Sequence, residues 1–299
     1  MSLSGSICAL ATPFHSRDDT IDGAALQRLI DLQVAGGTRA LVVAGSTGEA
    51  AALDEAEFSQ LLALAVRHIG QRVPSIAGTG QSGTQRTIAQ TRRARDAGIE
   101  YALVVAPAYV RPTQEGMYRH FCEVADHGGL PVMLYNVPSR TACDLLPETV
   151  ARLTAHGNII GIKEAVADPA RMQALLPLRS ERFSVFSGDD GSATSAMLAG
   201  ADGVVSVAAN VDPARMARLA EACADHSEVA AVLERELQPL FTLLGCEPNP
   251  IPLKWCLSRM GIGEPHLRLP LLPLGTRHHA HADSVLVGLG LVEPAAVVG

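Results

Sequence analysis

Short apolar runs rich in β-branched residues recur along the chain. Each ends in a polar or glycine-rich turn and leads into an amphipathic stretch. The runs are "SICALATPF" (6–14), "RALVVAGS" (39–46), "PSIAGTG" (74–80), "YALVVAP" (101–107), "PVMLYNVP" (131–138), "IIGIKEA" (159–165), "FSVFSGD" (183–189) and "GVVSVAAN" (203–210), eight in all. Their near-continuous apolar character predicts strands of a parallel sheet buried on both faces. Between them, Phe58, Leu61, Leu62, Ala65 and Ile69 follow helical spacing along one stripe, and Asp54 with Glu57 three residues on has the form of a capping box. Leu26, Leu29, Ile30 and Val34 make a similar stripe after Asp22, with Gly36-Gly37 placed to stop it, and Pro147 suits the first turn of a later helix.

Eight strand–helix units predict an α/β fold, a (β/α)8 TIM barrel spanning residues 1–224. An open doubly wound sheet satisfies the same alternation. From residue 225 the strand signal stops. Residues 225–299 therefore read as a C-terminal helical extension packed on the barrel. One of its helices has Val229, Leu233, Leu237, Leu240 and Leu244 as its apolar face, and Pro239 is expected to kink it.

With 299 residues, 47% of them hydrophobic, the chain has enough apolar surface for a large core. Its net charge of −7 and the lack of basic runs interleaved with aromatics argue against nucleic acid as a partner. No apolar run reaches the roughly 18 residues of a membrane span. The N-terminal "MSLSGSICALATPF" has no positively charged region and does not read as a signal peptide, so a cytoplasmic location is expected. The six cysteines form no CxxC pair and read as reduced, mostly buried residues. "RHHAH", with His278, His279 and His281, reads as a solvated tail, since no further ligands gather near it; no metal is expected.

In a barrel, chemistry sits at the C-terminal ends of the strands. That rule selects Ser46 and Thr47, Tyr109, Tyr135, Lys163, Gly188-Asp189-Asp190 and Asn210. Lys163 stands out, because a lysine set into an apolar strand needs compensation. One reading is a structural ion pair with Asp189 or Asp190. The other is an amine nucleophile: apolar walls disfavour the ammonium, and the neutral amine attacks a carbonyl to form a Schiff base. Such chemistry needs proton relays, which Tyr135, Tyr109 and Ser46 can supply. If Lys163 points inward, Ile162 and Glu164 face the helices. "GSTGE" (45–49) can hold a carboxylate through backbone N–H groups and hydroxyls, and Arg140 can clamp one through paired hydrogen bonds. A dinucleotide-type GxGxxG, Gly78, Gly80 and Gly83, falls in the third unit and lacks the acid expected at the end of the next strand, which argues against a nicotinamide cofactor.

The segments "GSTGE", "IAGTG", "PAYVRPTQEGMYRHF", "LYNVPSRTACDLLPETV", "NIIGIKEA", "FSGDD", "GVVSVAANV" and "EPNPIPLKW" are similar to those of the dihydrodipicolinate synthase family, class I pyruvate-dependent aldolases. The resemblance runs over nearly the whole chain. It implies a (β/α)8 barrel with a C-terminal helical region, and a homotetramer built from two tight dimers. The implied reaction condenses pyruvate with L-aspartate 4-semialdehyde, a step of lysine and diaminopimelate biosynthesis. No cofactor is implied, the lysine itself being the electron sink. By resemblance Lys163 captures pyruvate, Tyr135 is the general acid/base, and Ser46 and Tyr109 complete the relay, Tyr109 in a neighbouring subunit's site. Thr47 and the backbone at Val205 match positions that hold pyruvate, Arg140 the one that receives the aldehyde's carboxylate, and Gly188 is expected among the substrate-binding residues.

Two departures from the family pattern carry expectations. "GSTGE" replaces the usual "GTTGE" and is the form of the related N-acetylneuraminate lyases, whereas "PSRT" is the synthase form. A sugar-acid lyase and a non-catalytic keto-acid-binding barrel are the rival readings. The positions matching the lysine-inhibition pocket include Ala50, Glu55, Phe58, Ser82, Arg86 and Ala108, with Arg86 where an acid is usual. Weak or absent inhibition by L-lysine is expected.

Overall fold

Eight parallel strands pair in sequence order, and the last pairs back to the first. They are β1 (Gly5–Ala9), β2 (Ala40–Val43), β3 (Ser75–Gly78), β4 (Tyr101–Val105), β5 (Val132–Asn136), β6 (Ile159–Glu164), β7 (Ser184–Ser187) and β8 (Gly203–Ser206) in a computed structural model that describes residues 3–294. Closure excludes the open sheet. The helices are α1 (Gly23–Ala35), α2 (Glu55–Ile69), α3 (Thr84–Asp96), α4 (Gln114–His127), the short α5 (Pro138–Thr141), α6 (Pro147–Leu153), α7 (Pro169–Leu175), α8 (Asp190–Leu198), α9 (Pro213–Ala224), α10 (Val229–Leu244), α11 (Ile251–Arg259) and α12 (His279–Gly288). The expected caps form: Asp22 accepts from Ala25 N–H, Asp54 and Glu57 make a reciprocal capping box, and Gly36 ends α1.

Alternation along each strand builds two apolar layers. Ile7, Val42, Ile76, Leu103, Met133, Phe186 and Val205 fill the barrel, while Cys8, Leu41, Val104, Leu134, Ile162 and Val185 pack outward against the helices. The seam between β1 and β8 is tight, since a Cβ on Gly203 would stand 2.0 Å from Gly5 O. Asn210, a candidate for the site from sequence, closes this seam instead. It is fully buried, donates to Ala9 O at 2.8 Å and accepts the Ala11 N–H at 3.0 Å.

The strands are shorter than the apolar runs that predict them. The surplus residues turn into loops at the barrel mouth, some buried, as Ala44 is after β2 with φ 54°, and some open, as Ser46 is two residues later. After α9, α10 packs on α8 and α9, and α12 packs on α10. α10 continues as one element through Pro239. The "RHHAH" segment is not a solvated tail. His279 opens α12, with its ring 5.1 Å from that of Trp255 and its Nε2 3.0 Å from Leu274 O. Residues 295–299 of the expected extension and residues 1–2 of the expected barrel lie outside the described residues. Among the described residues the six cysteines are free, no cluster of metal-ligating side chains occurs, and no helix is long and apolar enough to cross a membrane.

Candidate active site

The register of two strands brings the central pair together. Tyr135 on β5 and Lys163 on β6 are Cα partners, so both side chains project into the barrel on the same layer. Their successors, Asn136 and Glu164, are also partners and point outward. Asn136 Nδ2 donates to both carboxylate oxygens of Glu164, at 3.1 and 3.0 Å, and to Asp144 Oδ1 at 2.8 Å. Burial raises the Glu164 carboxyl above its ordinary range, opposed by Asn136, the Val166 N–H and Arg171.

Lys163 is 5% exposed. Its other strand partner is Phe186, and its stem passes over Gly188, where a Cβ would stand 2.9 Å from Lys163 Cε and Cγ. Nζ lies 4.4 Å from the centre of the Tyr135 ring. The structural reading of this lysine as an ion-pair member fails. Among the described residues it has no carboxylate partner within 4.0 Å, the ion-pairing limit. Asp189 caps α8 through Ser192, and Asp190 accepts the Val207 and Ala208 N–H groups at 3.0 and 2.8 Å. Both acids are held away from Lys163, Asp190 through Oδ2 alone, its buried Oδ1 having no partner among the described residues.

The amine faces a cavity of about 210 Å³ at the C-terminal mouth, where Ser46, Thr47, Tyr135, Arg140, Lys163 and Gly188 meet. That volume is below the ~300–1,000 Å³ of drug-sized ligand sites and suits a small acid. A second cavity, about 540 Å³, shares Ser46, Tyr135 and Arg140 and extends to Ser82, Ala108 and Leu269. An amine so placed can attack a carbonyl carbon, a phenol beside it can pass a proton, and a guanidinium at the rim can hold a carboxylate.

Two sequence-selected residues stand apart. Tyr109 follows β4 but is 92% exposed, with φ 74°, and does not line either cavity of its own chain. Val205 is buried in the barrel interior, and Val207, two residues later, lines the cavity. Two glycines of the GxGxxG pattern have packing reasons: a Cβ on Gly78 would stand 2.3 Å from Ala44 O, and one on Gly80 2.5 Å from Val105 N, whereas one on Gly83 would meet nothing within 4 Å.

Sequence reasoning missed Asn249. Its Nδ2 donates to Thr47 Oγ1 at 3.0 Å and its carbonyl accepts from Arg140 Nη2 at 3.1 Å, so it joins the two ends of the cavity wall. Its segment, "EPNPIPLKW", carries part of the family resemblance, but Asn249 lies between Pro248 and Pro250, far from any strand end.

Comparison with known proteins agrees over almost the full length. The 4-hydroxy-tetrahydrodipicolinate synthase of Stenotrophomonas maltophilia strain K279a is 56% identical over 294 residues, covering 98% of both chains. That of Xanthomonas campestris pv. campestris is 57% identical over 284 residues, 95% of this chain and 93% of that one. Among solved structures, the chloride-inhibited dihydrodipicolinate synthase of Acinetobacter baumannii complexed with pyruvate superposes with a TM-score of 0.94 at 39% identity, covering 97% of this chain and 100% of that one. The enzyme of Cyanidioschyzon merolae with lysine bound gives 0.92 at 30% identity, covering 97% and 99%. The model of the Dihydrodipicolinate synthetase family matches residues 2–287, and the chain belongs to that family.

Proposed function

We propose that this chain catalyses the condensation of pyruvate with L-aspartate 4-semialdehyde to 4-hydroxy-tetrahydrodipicolinate, in lysine and diaminopimelate biosynthesis. The observation that carries the reading is Lys163: a buried amine with no carboxylate partner among the described residues, against a phenol, at the floor of a small polar cavity. Nζ attacks the C2 carbonyl of pyruvate. The carbinolamine loses water to give an iminium, and loss of a C3 proton gives the enamine. Enamine C3 attacks the aldehyde carbon, and the alkoxide formed takes a proton. The semialdehyde's own amine then attacks C2, closes the ring and displaces Lys163. One water leaves overall, as a carbonyl is exchanged for the ring C=N.

Tyr135 is the general acid/base in this reading, relayed by Ser46 and Tyr109. Thr47, Gly188 and the backbone at Val205 hold pyruvate, and Arg140 takes the aldehyde's carboxylate. The exposure of Tyr109, with Val110 beside it 55% exposed, supports supply of this phenol to the site of a second copy. We infer a cytoplasmic homotetramer made of two such dimers.

Borohydride reduction in the presence of pyruvate should fix one pyruvate per chain on Lys163. The chain has only two lysines, Lys163 and Lys254, so a peptide map reads the site directly. A coupled assay should show turnover with aspartate semialdehyde and none with N-acetylneuraminate. No adduct on Lys163, or turnover of the sugar acid alone, would overturn the proposal.

A further inference from the structure

The second lysine is also buried, and the chemistry above does not use it. Lys254, on α11, is 3% exposed, and its Nζ lies 2.6 Å from Glu49 Oε1. The other carboxylate oxygen of Glu49 accepts the backbone N–H of Arg268 at 3.0 Å. The Lys254 ammonium also sits 4.3 Å from the centre of the Phe14 ring. Glu49 is the last residue of the turn that carries Ser46 and Thr47. It holds φ 54°, and so does Ala44 at the turn's start. A residue with a Cβ keeps that left-handed conformation only where its surroundings impose it.

The surroundings here come from the far end of the chain. Asn249, just before α11, holds Thr47, and Lys254 within α11 holds Glu49. On the other side Thr12 Oγ1 donates to Gly48 O at 2.8 Å. The turn is thus clamped between β1's extension and α11. Two well-packed apolar side chains would often give equal or greater stability than a pair of charges so deep in the protein. What the charged pair adds is direction, because the two oxygens of the Glu49 carboxylate are held by Lys254 Nζ and the Arg268 N–H while its backbone is in this conformation.

We propose that Lys254 is a positioning residue for the reaction: through Glu49 it fixes the turn 45–49, so that the Ser46 and Thr47 hydroxyls are presented to the cavity above Lys163. This rests on the function proposed above, since it concerns turnover at Lys163. Burial lowers Lys254 to about 8, with Glu49 opposing the shift, which fits an ammonium that depends on this one carboxylate.

The test uses the full-length Lys254→Met and Lys254→Gln variants, with Glu49→Gln as a second route if the first does not fold. Two quantities are read: kcat, and the amount of pyruvate fixed on Lys163 by borohydride. The expectation for Lys254→Met is a kcat lower by roughly tenfold or more, pyruvate capture that needs more pyruvate but is complete at saturation, and partial recovery of kcat in Lys254→Gln, which restores a hydrogen-bond donor. A folded Lys254→Met or Glu49→Gln protein with kcat within about twofold of the parent, even with a lower Tm, would reduce the pair to a structural role and overturn the proposal. Loss of capture even at saturating pyruvate, together with kcat, would overturn it too, since the effect would then lie on the Lys163 amine and not on the turn. A parent protein that captures no pyruvate would instead defeat the assigned reaction, a result distinct from either.

Discussion

Tyr135 and Lys163 are register partners on neighbouring parallel strands, and the amine lies 4.4 Å from the centre of the phenol ring. The same register pairs Asn136 with Glu164 on the outer face. A one-residue slip of β6 would turn the amine outward, away from the phenol, and put the Glu164 carboxylate in the barrel. The outer polar pair therefore guards the inner reactive one.

Tyr135→Phe keeps the ring that walls Lys163 and removes only the hydroxyl. With Tyr135 as general acid/base, kcat should fall by about 10²–10⁴. Borohydride should still fix pyruvate on Lys163, because the nucleophile and its pocket remain. Turnover within about tenfold of the parent would exclude the phenol from proton transfer.

Gly188→Ala addresses the amine from beneath. The added methyl would meet Lys163 Cε and Cγ at 2.9 Å and Ala165 Cβ at 3.1 Å, so the lysine stem has to move. A shift on the scale of 1 Å should cost ~10²-fold in kcat. Urea midpoints should change little, since the stem can swing into the cavity. Parent-like kinetics would show that the stem has slack.

Arg171→Met probes the outer network. Arg171 Nη2 lies 2.5 Å from Asp144 Oδ2, and Nη1 lies 3.6 Å from Glu164 Oε2, whose side chain is fully buried. Leaving these acids without their cation should cost about 3 kcal/mol at neutral pH. Burial already holds Glu164 above its ordinary 4.5, so the folded chain binds that proton more tightly than the unfolded chain. Its contribution is full below 4.5 and is lost as pH rises through the folded value. Removing Arg171 extends that loss. Asp144, which Arg171 and Asn136 hold below its ordinary range against the effect of burial, loses support in the same direction. The stability deficit of the variant, from urea melts, should therefore be smaller at pH 5 than at pH 8. A deficit independent of pH would contradict the electrostatic account.

The barrel was legible because periodicity reports burial on both sheet faces, and Lys163 was legible because a charge in such a run violates it. Alternation from Lys163 placed Ile162 and Glu164 on the helix side, where they lie. Asn210 misled because a polar residue at a strand end has the same appearance whether it seals a backbone seam or faces a substrate. Asn249, Glu49 and Lys254 escaped because their contacts span about 200 residues of sequence, and no local pattern encodes a contact of that separation. The histidines of "RHHAH" misled for a similar reason, since Trp255, against which His279 packs, lies on another helix.

L-lysine should be a poor inhibitor. The C. merolae enzyme has been seen with lysine bound, and Arg86 stands here where the family resemblance implies an acid. Phe58 is buried in the core and Glu55 is engaged by Arg93. Arg86 is exposed near the start of α3 and brings a positive charge toward any bound ammonium. Initial rates at millimolar L-lysine should stay close to those without it, and Arg86→Glu should increase whatever inhibition there is. Strong inhibition of the parent enzyme would refute the assignment of Arg86.

Tyr109 allows a test that needs no structure of an assembly. In its own chain the phenol is 92% exposed and lines neither cavity, so a relay role requires a second copy. Tyr109→Phe and Tyr135→Phe should each be nearly inactive alone. In a mixed dimer, one site combines the Tyr135 of one chain with the Tyr109 of the other, and the second site lacks both. Random exchange should therefore restore about one quarter of parent activity. Activity that stays at the sum of the two variants would place the relay within one chain, or remove Tyr109 from it. Recovery of activity after co-refolding, but not after simple mixing, would still meet the expectation and would mean only that the subunits exchange slowly.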